Sequence, residues 1–303
     1  MSITICTHNN TFQADDVFAV AMLSFLHPDH TLVRTRDEGI IKAADIVVDV
    51  GGVYDHSAMR YDHHQVGRAG ARENGVLYSA CGLIWKHYGV EICALLSYAG
   101  VDPAVVAARV DKRLIQPLDA TDNGQRLNTG GTPSFEGISQ VSLSSVIAGF
   151  NPSWHEVYRD FDAQFNKAVA LARAILDNSV TTECGTLLAE QGVIKALSAR
   201  TDKRVLVLDS FLPWQEQAVQ DPDVLYAIFP DEAGTWMVQA VPPTLGSFDK
   251  RKPLPAHWGG LRNGDFSRVV GVPDGVFCHA GLFICGARTR ESALRIVGLA
   301  LEA

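Results

Sequence analysis

Aspartate and histidine are concentrated in four short segments of this sequence. The segments are residues 7–16, 49–52, 62–64 and 119–124. Together they combine carboxylates with imidazoles and contain no cysteine, a ligand set that suits divalent ions such as Mn²⁺ and Mg²⁺. Two such ions that share a bridging carboxylate can activate a water for attack on phosphorus. The residue types therefore predict a two-metal centre that acts on phosphate esters.

The four segments differ in how easily packing alone explains them. Asp49 lies near the end of the apolar run of residues 45–50, where a buried carboxylate is costly unless it is paired or binds a cation. Asp62, His63 and His64 are three adjacent candidate ligands, an arrangement that packing rarely requires. Acids in the first turn of a helix and Asp-Asn-Gly turns, the features of the other two segments, are common without any ligand.

Short apolar runs alternate with helical patterns in the first half of the chain. Strands are predicted near residues 3–7, 32–36 and 45–50, with helices between and after them. This alternation is typical of a doubly wound α/β domain with a parallel sheet. Ligands of such sheets bind beyond the carboxyl ends of the strands, which is where the first two acidic segments fall.

A second domain is predicted beyond a long connecting helix. The chain has 303 residues, enough for two domains of ordinary size. The helix is expected at about 154–178, so that the first domain spans 1–180 and the second spans 181–303. Short strand patterns in the second part predict a smaller mixed α/β domain. The active site is expected in the cleft between the two domains.

Charge and cysteine usage exclude several classes of protein. The net charge of −8 argues against a broad basic surface for nucleic acid. Residues 250–303 nevertheless carry eight Lys or Arg against four Asp or Glu, so a local basic region is expected there. The six cysteines lack the spacing of a zinc ribbon or a redox pair. The first ten residues do not resemble a secretion signal and no apolar run could span a membrane, which predicts a cytoplasmic protein without a membrane partner.

Eight blocks of the sequence carry a resemblance to a known family. They are residues 7–15, 33–37, 45–55, 60–65, 79–84, 119–124, 260–262 and 279–284. On these blocks the chain resembles the melanocyte-proliferating-gene (Myg) family almost from end to end, and that family is similar to a branch of the DHH phosphoesterases. The resemblance implies a metal-dependent hydrolase with 3′-to-5′ exonuclease activity on RNA; similar RecJ-like proteins degrade DNA.

The resemblance also implies roles for individual residues. His8 and Asp49 would hold one divalent ion. Asp15, Asp49, His63 and one acid of the fourth segment would hold the other, with Asp122 slightly preferred over Asp119. These assignments leave Asp49 as the bridging ligand and make Asp15, Asp49 and His64 the expected catalytic residues.

Substrate contacts are expected from both ends of the chain. His64 would face the substrate phosphate, as the second histidine does in similar DHH enzymes. Arg262, His279 and Arg288 belong to glycine-containing segments of the basic C-terminal part and are predicted to bind phosphates. The expected partner is single-stranded nucleic acid or a short oligonucleotide, with a second copy of the chain as a further partner. Mn²⁺ is the preferred ion and Mg²⁺ the alternative.

One position departs from the family pattern and keeps other functions open. Gln13 stands where the family usually has histidine, and an amide oxygen is a weaker ligand for a transition-metal ion than imidazole. The alternatives are a small-molecule phosphohydrolase for dinucleotides, nucleoside bisphosphates or pyrophosphate, and a catalytically impaired binding or regulatory protein.

Overall fold

The computed structural model describes residues 2–127 and 141–303, and the predicted α/β class is confirmed. The chain divides into two compact units, Met1–Cys184 and Gly185–Ala303. Each unit is built around its own five-stranded sheet.

The first unit contains five strands and six complete helices within the described residues. Its strands are β1 (Thr4–Thr7), β2 (Thr31–Arg34), β3 (Ile46–Val48), β4 (Tyr54–Asp55) and β5 (Arg60–Tyr61). Its helices are α1 (Ala14–Leu26), α2 (Glu38–Ala43), α3 (Ala80–Leu96), α4 (Pro103–Val110), α5 (Gln116–Asp122) and α6 (Leu143–Ala148). A π-helical turn, Asp111–Ile115, joins α4 to α5.

The first sheet has the strand order β2-β1-β3-β5-β4 and is mixed, which corrects the expectation of a parallel sheet. The first four strands of this order are parallel, whereas β4 pairs antiparallel with β5. The reason is the connection between them, a single 3₁₀ turn of His56–Ala58. A parallel pair needs a crossover of about a dozen residues or more, and this turn is too short for one.

The centre of the first sheet is buried and apolar. Ile5 pairs with Ile46, and Cys6 pairs with Val47, along the parallel register of β1 and β3. All four are at most 1% exposed. Because strand side chains alternate, Cys6 and Val47 share one face, where Ile41 of α2 packs against them. The two buried strands therefore fix the positions of the residues that follow them.

Arg34 holds the loop that follows β1. Its guanidinium carbon lies 5.4 Å from the ring centroid of Phe12 and 4.3 Å from that of Phe165. Nη2 donates a hydrogen bond to the carbonyl of Asn10 at 2.7 Å, and Nη1 pairs with Asp162 at 2.8 Å. Cation–π contacts and charge-assisted hydrogen bonds therefore attach this loop to the start of a later helix.

A second clamp acts on the same loop. The side-chain oxygen of Asn151 accepts a hydrogen bond from the backbone N–H of Phe12 at 3.0 Å, and its amide nitrogen donates to the carbonyl of Phe12 at 2.9 Å. The Asn151 side chain thus makes the two hydrogen bonds that a neighbouring strand would otherwise make with Phe12. Both polar groups of that buried backbone unit are satisfied as a result.

The second unit combines a mixed sheet with three helices that lie wholly within it. Its strands are β6 (Val205–Val207), β7 (Tyr226–Pro230), β8 (Trp236–Ala240), β9 (Gly275–Cys278) and β10 (Ile284–Ala287). The helices are α8 (Gln215–Gln220), α9 (Asn263–Val270) and α10 (Arg290–Glu302). The strand order is β6-β7-β8-β10-β9, in which β6 and β7 are parallel and the other pairs antiparallel.

The long helix α7 spans Phe161–Ala199, so it begins later and ends later than the segment expected at about 154–178. Asp160 explains the start, because its side chain accepts a hydrogen bond from the N–H of Ala163 at 2.9 Å, as an N-cap does. The preceding residues gain little from helix formation, since Trp154 and Val157 are 86% and 98% exposed.

All six cysteines are buried and free, as their spacing indicates. No helix among the described residues combines the length and apolar character that crossing a bilayer requires.

Two basic residues of the predicted C-terminal basic region stabilise the second unit instead of facing a ligand. The guanidinium group of Arg251 donates to the carbonyls of Val219, Asp221 and Val224 at 2.6–2.9 Å. Lys252 donates to a carbonyl near the end of α10 at 3.0 Å. Both cations therefore hold loops and helix ends together through backbone carbonyls.

Replacing Arg251→Ala should lower the free energy of unfolding by about 2–4 kcal/mol, because several partly buried carbonyls lose a charged donor together. Urea denaturation followed by fluorescence measures this change. The matched control is Arg204→Ala, since Arg204 is exposed and its side chain pairs with Asp202. That variant should stay within about 0.5 kcal/mol of the wild type. Equal effects of the two substitutions would contradict a structural role for Arg251.

Candidate functional site

Ligand-type side chains gather where the parallel strands of the first sheet end. His8 directly follows β1, Asp49 directly follows β3, and His63 lies two residues beyond β5. Asp15 and Asp16 lie in the first turn of α1. Asp122 is the last residue of α5 and completes the set. The predicted position of the site, beyond strand carboxyl ends, is thus where these side chains are found.

The first group of facing ligand atoms consists of His8, Asp16 and Asp49. His8 Nε2 lies 3.2 Å from Asp16 Oδ2 and 3.3 Å from Asp49 Oδ2. The other ring nitrogen, Nδ1, lies 3.1 Å from the carbonyl of Asn9, so the tautomer that donates there leaves Nε2 free to accept or to bind a cation. All three side chains are buried.

The second group consists of Asp15, His63 and Asp122. His63 Nε2 lies 3.7 Å from Asp15 Oδ2 and 3.3 Å from Asp122 Oδ2. It also lies 3.4 Å from Asp49 Oδ1. The two oxygens of Asp49 therefore face different histidines, and this carboxylate stands between the two groups as a bridging ligand would.

The backbone at Asp49 adopts an unusual conformation. Its φ of +55° lies in the left-handed region, which is uncommon for residues other than glycine. Gly51 and Gly52 follow with φ values of +96° and +68°. A buried aspartate held in a disfavoured conformation is typical of functional sites, where surrounding contacts maintain the strain. The tight turn directs the carboxylate into the cluster rather than along the strand.

Several polar atoms of the cluster are buried without a hydrogen-bond partner among residues 2–127 and 141–303. They are both carboxylate oxygens of Asp15, Oδ2 of Asp16, Oδ1 of Asp49 and both ring nitrogens of His63. Buried polar atoms are nearly always satisfied, so several in one place indicate a missing partner. The ligand atoms of each group lie within 4.8 Å of one another, close enough to surround a single ion.

The charge of the cluster matches divalent cations. Its four carboxylates, on Asp15, Asp16, Asp49 and Asp122, carry four negative charges when ionised, which two divalent ions would balance. Carboxylate and imidazole ligands without thiolate suit Mn²⁺ and Mg²⁺ better than softer ions. The donor set and the unpartnered atoms therefore fit the metal ions that the sequence implies.

Without cations, burial raises the pKa of three of the four carboxyl groups. Burial raises the pKa of Asp16 to about 7, against an opposing effect of the nearby His8. Burial and the charge of Asp49 raise the pKa of Asp15 well above its usual range. Burial also raises the pKa of Asp122, although His63 opposes it. Four acids in so small a buried volume cannot all ionise unless a positive charge joins them.

In Asp49, His8 and His63, contacts with neighbouring groups outweigh the effect of burial on the pKa. Burial acts to raise the pKa of Asp49, but the imidazoles of His63 and His8, which face its oxygens at 3.4 and 3.3 Å, outweigh it and the pKa is lowered. Burial acts to lower the pKa of both histidines, and Asp49 reverses that effect in each case. Asp49 is therefore the acid of the cluster that most readily carries a full negative charge.

Asp62 supports the site without belonging to either group. Its Oδ1 accepts a hydrogen bond from His64 Nδ1 at 2.8 Å, and its Oδ2 accepts from the backbone N–H of Gly52 at 2.6 Å. His64 is the most open of the site histidines, with 57% of its side chain exposed. Because Nδ1 is held by Asp62, Nε2 remains the ring atom that can meet an approaching ligand.

Asp119 lies outside the cluster and has another role, whereas Asp122 lies inside it. Asp119 Oδ2 pairs with Arg72 at 2.6 Å, and Oδ1 accepts from the hydroxyl of Ser79 at 2.6 Å and the N–H of Gly82 at 3.0 Å. Both oxygens are therefore occupied. The sequence could not separate the two acids, because residues three apart share a face of a helix and only their distant contacts distinguish them.

Asp16 is the cluster residue that sequence reasoning missed. It reads as an ordinary first-turn acid, and only its burial and its contact with His8 reveal another role. Its Oδ1 also accepts from the backbone N–H of Gln13 at 2.9 Å. Gln13 lines the cavity beside His8, but three ligand atoms already face one another there without it.

The three predicted phosphate contacts of the second unit do not form one group. The pairing of Cys278 with Cys285, and of Gly275 with Ala287, shows that β9 and β10 run antiparallel. His279 lies opposite Ile284, and Arg288 follows four residues later, so the two lie at opposite ends of this hairpin, about 13 Å apart at about 3.3 Å per residue. Arg262 precedes α9, and both it and His279 are exposed.

The fold and the site together define an α/β protein with a candidate divalent-metal centre beyond the carboxyl ends of the parallel strands of a mixed sheet. The chain belongs to the Myg family, as the sequence resemblance indicates. The matching family model, MYG1_exonuc, is described as an uncharacterised protein family (UPF0160) and covers residues 4–301.

Curated relatives match the chain over nearly its whole length. A MYG1 protein of Caenorhabditis elegans is 33% identical over 100% of this chain and 96% of its own length. A MYG1 protein of Dictyostelium discoideum is 34% identical over 96% of this chain and 94% of its own. The protein named MYG1 exonuclease in Homo sapiens is 35% identical over 96% of this chain and 83% of its own. No solved structure matches the chain.

The stability of the metal-free protein should fall as pH rises from about 4 to about 7. In this window the folded cluster holds protons on carboxyls whose pKa is raised, whereas the unfolded chain releases them. Asp16, with its pKa of about 7, contributes across the whole window. Thermal unfolding in a chelator at several pH values measures the effect. Added Mn²⁺ should replace the protons and reverse the trend.

Asp16→Asn provides the test of this assignment. It removes one titrating carboxyl, so the slope of stability against pH should become shallower. The control Asp223→Asn changes an exposed aspartate and should leave the slope as in the wild type. A slope that is flat in the wild type, or equally steep in Asp16→Asn, would show that the cluster does not hold these protons.

Proposed function

We propose that the protein is a divalent-metal-dependent phosphodiesterase that removes nucleotides from the 3′ end of single-stranded RNA or short oligonucleotides. The observation that carries this proposal is the position of Asp49, whose two oxygens face His8 and His63 at 3.3 and 3.4 Å. Two groups of ligand atoms that share one carboxylate are what two-metal hydrolysis of a phosphodiester requires.

Each group would hold one ion. His8, Asp16 and Asp49 would bind the first, and Asp15, Asp49, His63 and Asp122 the second. When bound, the ions favour ionisation of a water and offset the charge that develops on the phosphate oxygens. The protein residues fix where this happens, because their side chains are held by buried strand ends and a helix start.

His64 is proposed as the residue that meets the substrate. With Nδ1 donating to Asp62, His64 directs Nε2 toward the open side of the site and can give a proton or hydrogen bond to a phosphate oxygen. Gly52 holds the far oxygen of Asp62, so the histidine is oriented by backbone rather than by solvent. Asp62 is thus a positioning residue and His64 a proposed catalytic one.

The cavity beside these residues supports a short substrate footprint. It has a volume of about 480 Å³ and is lined by His8, Asp49, Asp62 and His64. That volume lies in the lower part of the range of small-molecule sites, about 300–1,000 Å³. A single nucleotide and its phosphate fit this scale, whereas a duplex does not, which favours a flexible single strand.

The names of relatives support the same class of reaction. The human protein is named MYG1 exonuclease, as is a protein of Bos taurus that is 34% identical over 96% of this chain. The more specific part of the proposal is that this chain removes nucleotides from RNA in the 3′-to-5′ direction. Arg262, His279 and Arg288 remain proposed phosphate contacts of the second unit, with Arg288 acting apart from His279.

A second candidate function is hydrolysis of small phosphate compounds such as dinucleotides. The net charge of −8 and the limited cavity volume favour it, since a long polyanion requires more positive surface. The two functions differ in salt dependence. The rate on a long RNA should fall steeply with salt if several phosphates are bound, whereas the rate on a dinucleotide should change little.

Asp49→Asn should lower the rate of nucleotide release from a labelled single-stranded RNA by about 100-fold or more, because both groups lose their shared ligand. His64→Gln should lower it by about 100-fold while metal stoichiometry stays unchanged. Gel analysis of RNA labelled at its 5′ end, with Mn²⁺, follows the shortening from the 3′ end. Elemental analysis counts the ions in each variant.

The control is Asp249→Asn, which alters an exposed aspartate of the second unit and should retain full activity. Release of the 5′ label as a mononucleotide at the earliest times would reverse the proposed polarity. Absence of any nucleotide release by the wild type with Mn²⁺ or Mg²⁺ would refute the nuclease. If dinucleotides were still hydrolysed, the second function would replace it.

A further inference from the structure

A second cavity adjoins the candidate active site. The two cavities share Arg36, Val50 and Gly51 in their linings, so they meet along one wall. The second has a volume of about 540 Å³, similar to the first. Neither the metal-binding groups nor the proposed proton transfer uses this second space.

Arg36 stands between the cavities as a cation free to bind. Its side chain is exposed, and within the described residues it forms no ion pair, in contrast to Arg34 two positions earlier. The other cations of the second cavity are engaged in the fold. Arg60 donates to backbone carbonyls, including that of Ala44 at 3.0 Å, and Lys42 pairs with Glu38 at 3.4 Å. Arg36 is therefore the group best able to meet an anion at the shared wall.

Beside these cations and Glu38, which also lines it, the second cavity offers apolar surface. Ile41, Val50 and Val53 contribute to its lining, and Val53 is 49% exposed. An exposed valine beside an arginine suits a planar, weakly polar group that stacks or packs without specific hydrogen bonds. Among the described residues the lining includes no asparagine or glutamine that could read the edge of a base.

Gly51 belongs to the shared wall of the two cavities and places no side chain there. A Cβ atom at this position would approach Ile41 Cγ2 to 3.3 Å, and the φ of +96° already disfavours other residues. Glycine therefore lets the backbone turn between Asp49 and the second cavity without a side chain in the shared wall. The second cavity thus lies directly beside the backbone that carries Asp49.

We infer that the second cavity binds the nucleotide next to the one whose phosphodiester bond is cleaved. This inference rests on the proposed function. The scissile phosphate lies at the metal-binding groups, the neighbouring phosphate meets Arg36, and the neighbouring base packs on Ile41 and Val53. The subsite makes a dinucleotide the shortest good substrate, and its apolar lining accepts any base.

The test compares a 5′-phosphorylated dinucleotide, which carries both the scissile and the neighbouring phosphate, with bis(p-nitrophenyl) phosphate. This small diester has no neighbouring nucleotide. In Arg36→Ala, kcat/KM for the dinucleotide should fall about tenfold or more relative to kcat/KM for the small diester. Val53→Ser, which removes apolar surface but no charge, should lower the same ratio about three- to tenfold. The matched control Arg268→Ala removes an exposed arginine of the second unit and should keep the wild-type ratio.

The outcomes separate this inference from the proposed function. An unchanged ratio in both Arg36→Ala and Val53→Ser, with active enzyme, overturns the subsite and leaves the phosphodiesterase standing. If the wild type hydrolyses neither substrate with Mn²⁺, the proposed function fails, and binding of the dinucleotide to the Mn²⁺-loaded protein decides the inference. Calorimetry should then show binding weakened tenfold in Arg36→Ala, and equal or absent binding in the wild type overturns the subsite.

Discussion

Mutual repulsion among buried carboxylates is the constraint on which the first unit depends. Asp15, Asp16, Asp49 and Asp122 lie together with little water, and such a group is unfavourable unless protons or cations join it. The fold holds it in place through rigid elements rather than through contacts within the cluster. Parallel strand ends fix Asp49, and the first turn of a fully buried helix fixes Asp15 and Asp16.

Asp62, Arg72 and Ser79 support the site from positions outside the cluster of facing ligand atoms. Asp62 orients His64 through one oxygen and holds the backbone of Gly52 through the other. Arg72 and Ser79 occupy Asp119, which leaves only the next acid along α5 to turn toward the metal-binding groups. Hydrogen bonds of this kind decide which of several similar acids becomes a ligand, and they explain why residue type alone cannot identify the ligands.

Much of the fold could be predicted because its signals are local. Apolar runs that end in polar residues predicted β1 and β3. They also predicted that His8 and Asp49 lie at the carboxyl ends of these strands. The antiparallel β4 was missed because a two-residue strand has no periodicity to detect. The role of Asp16 was hidden because a helix start explains an acid equally well. The structural role of Arg251 was hidden because its carbonyl partners are distant in sequence.

The clamp on the loop after β1 has a consequence for how the candidate metal site would take up ions. Arg34 and Asn151 hold that loop through Asn10 and Phe12, and none of these contacts involves a metal ligand. The loop that presents His8 is therefore shaped when the chain folds, before any cation arrives. Little conformational entropy remains to be lost on binding, so ions can leave and be replaced without unfolding. Which ion occupies the protein in a cell would then follow the free concentrations of the ions rather than the history of folding.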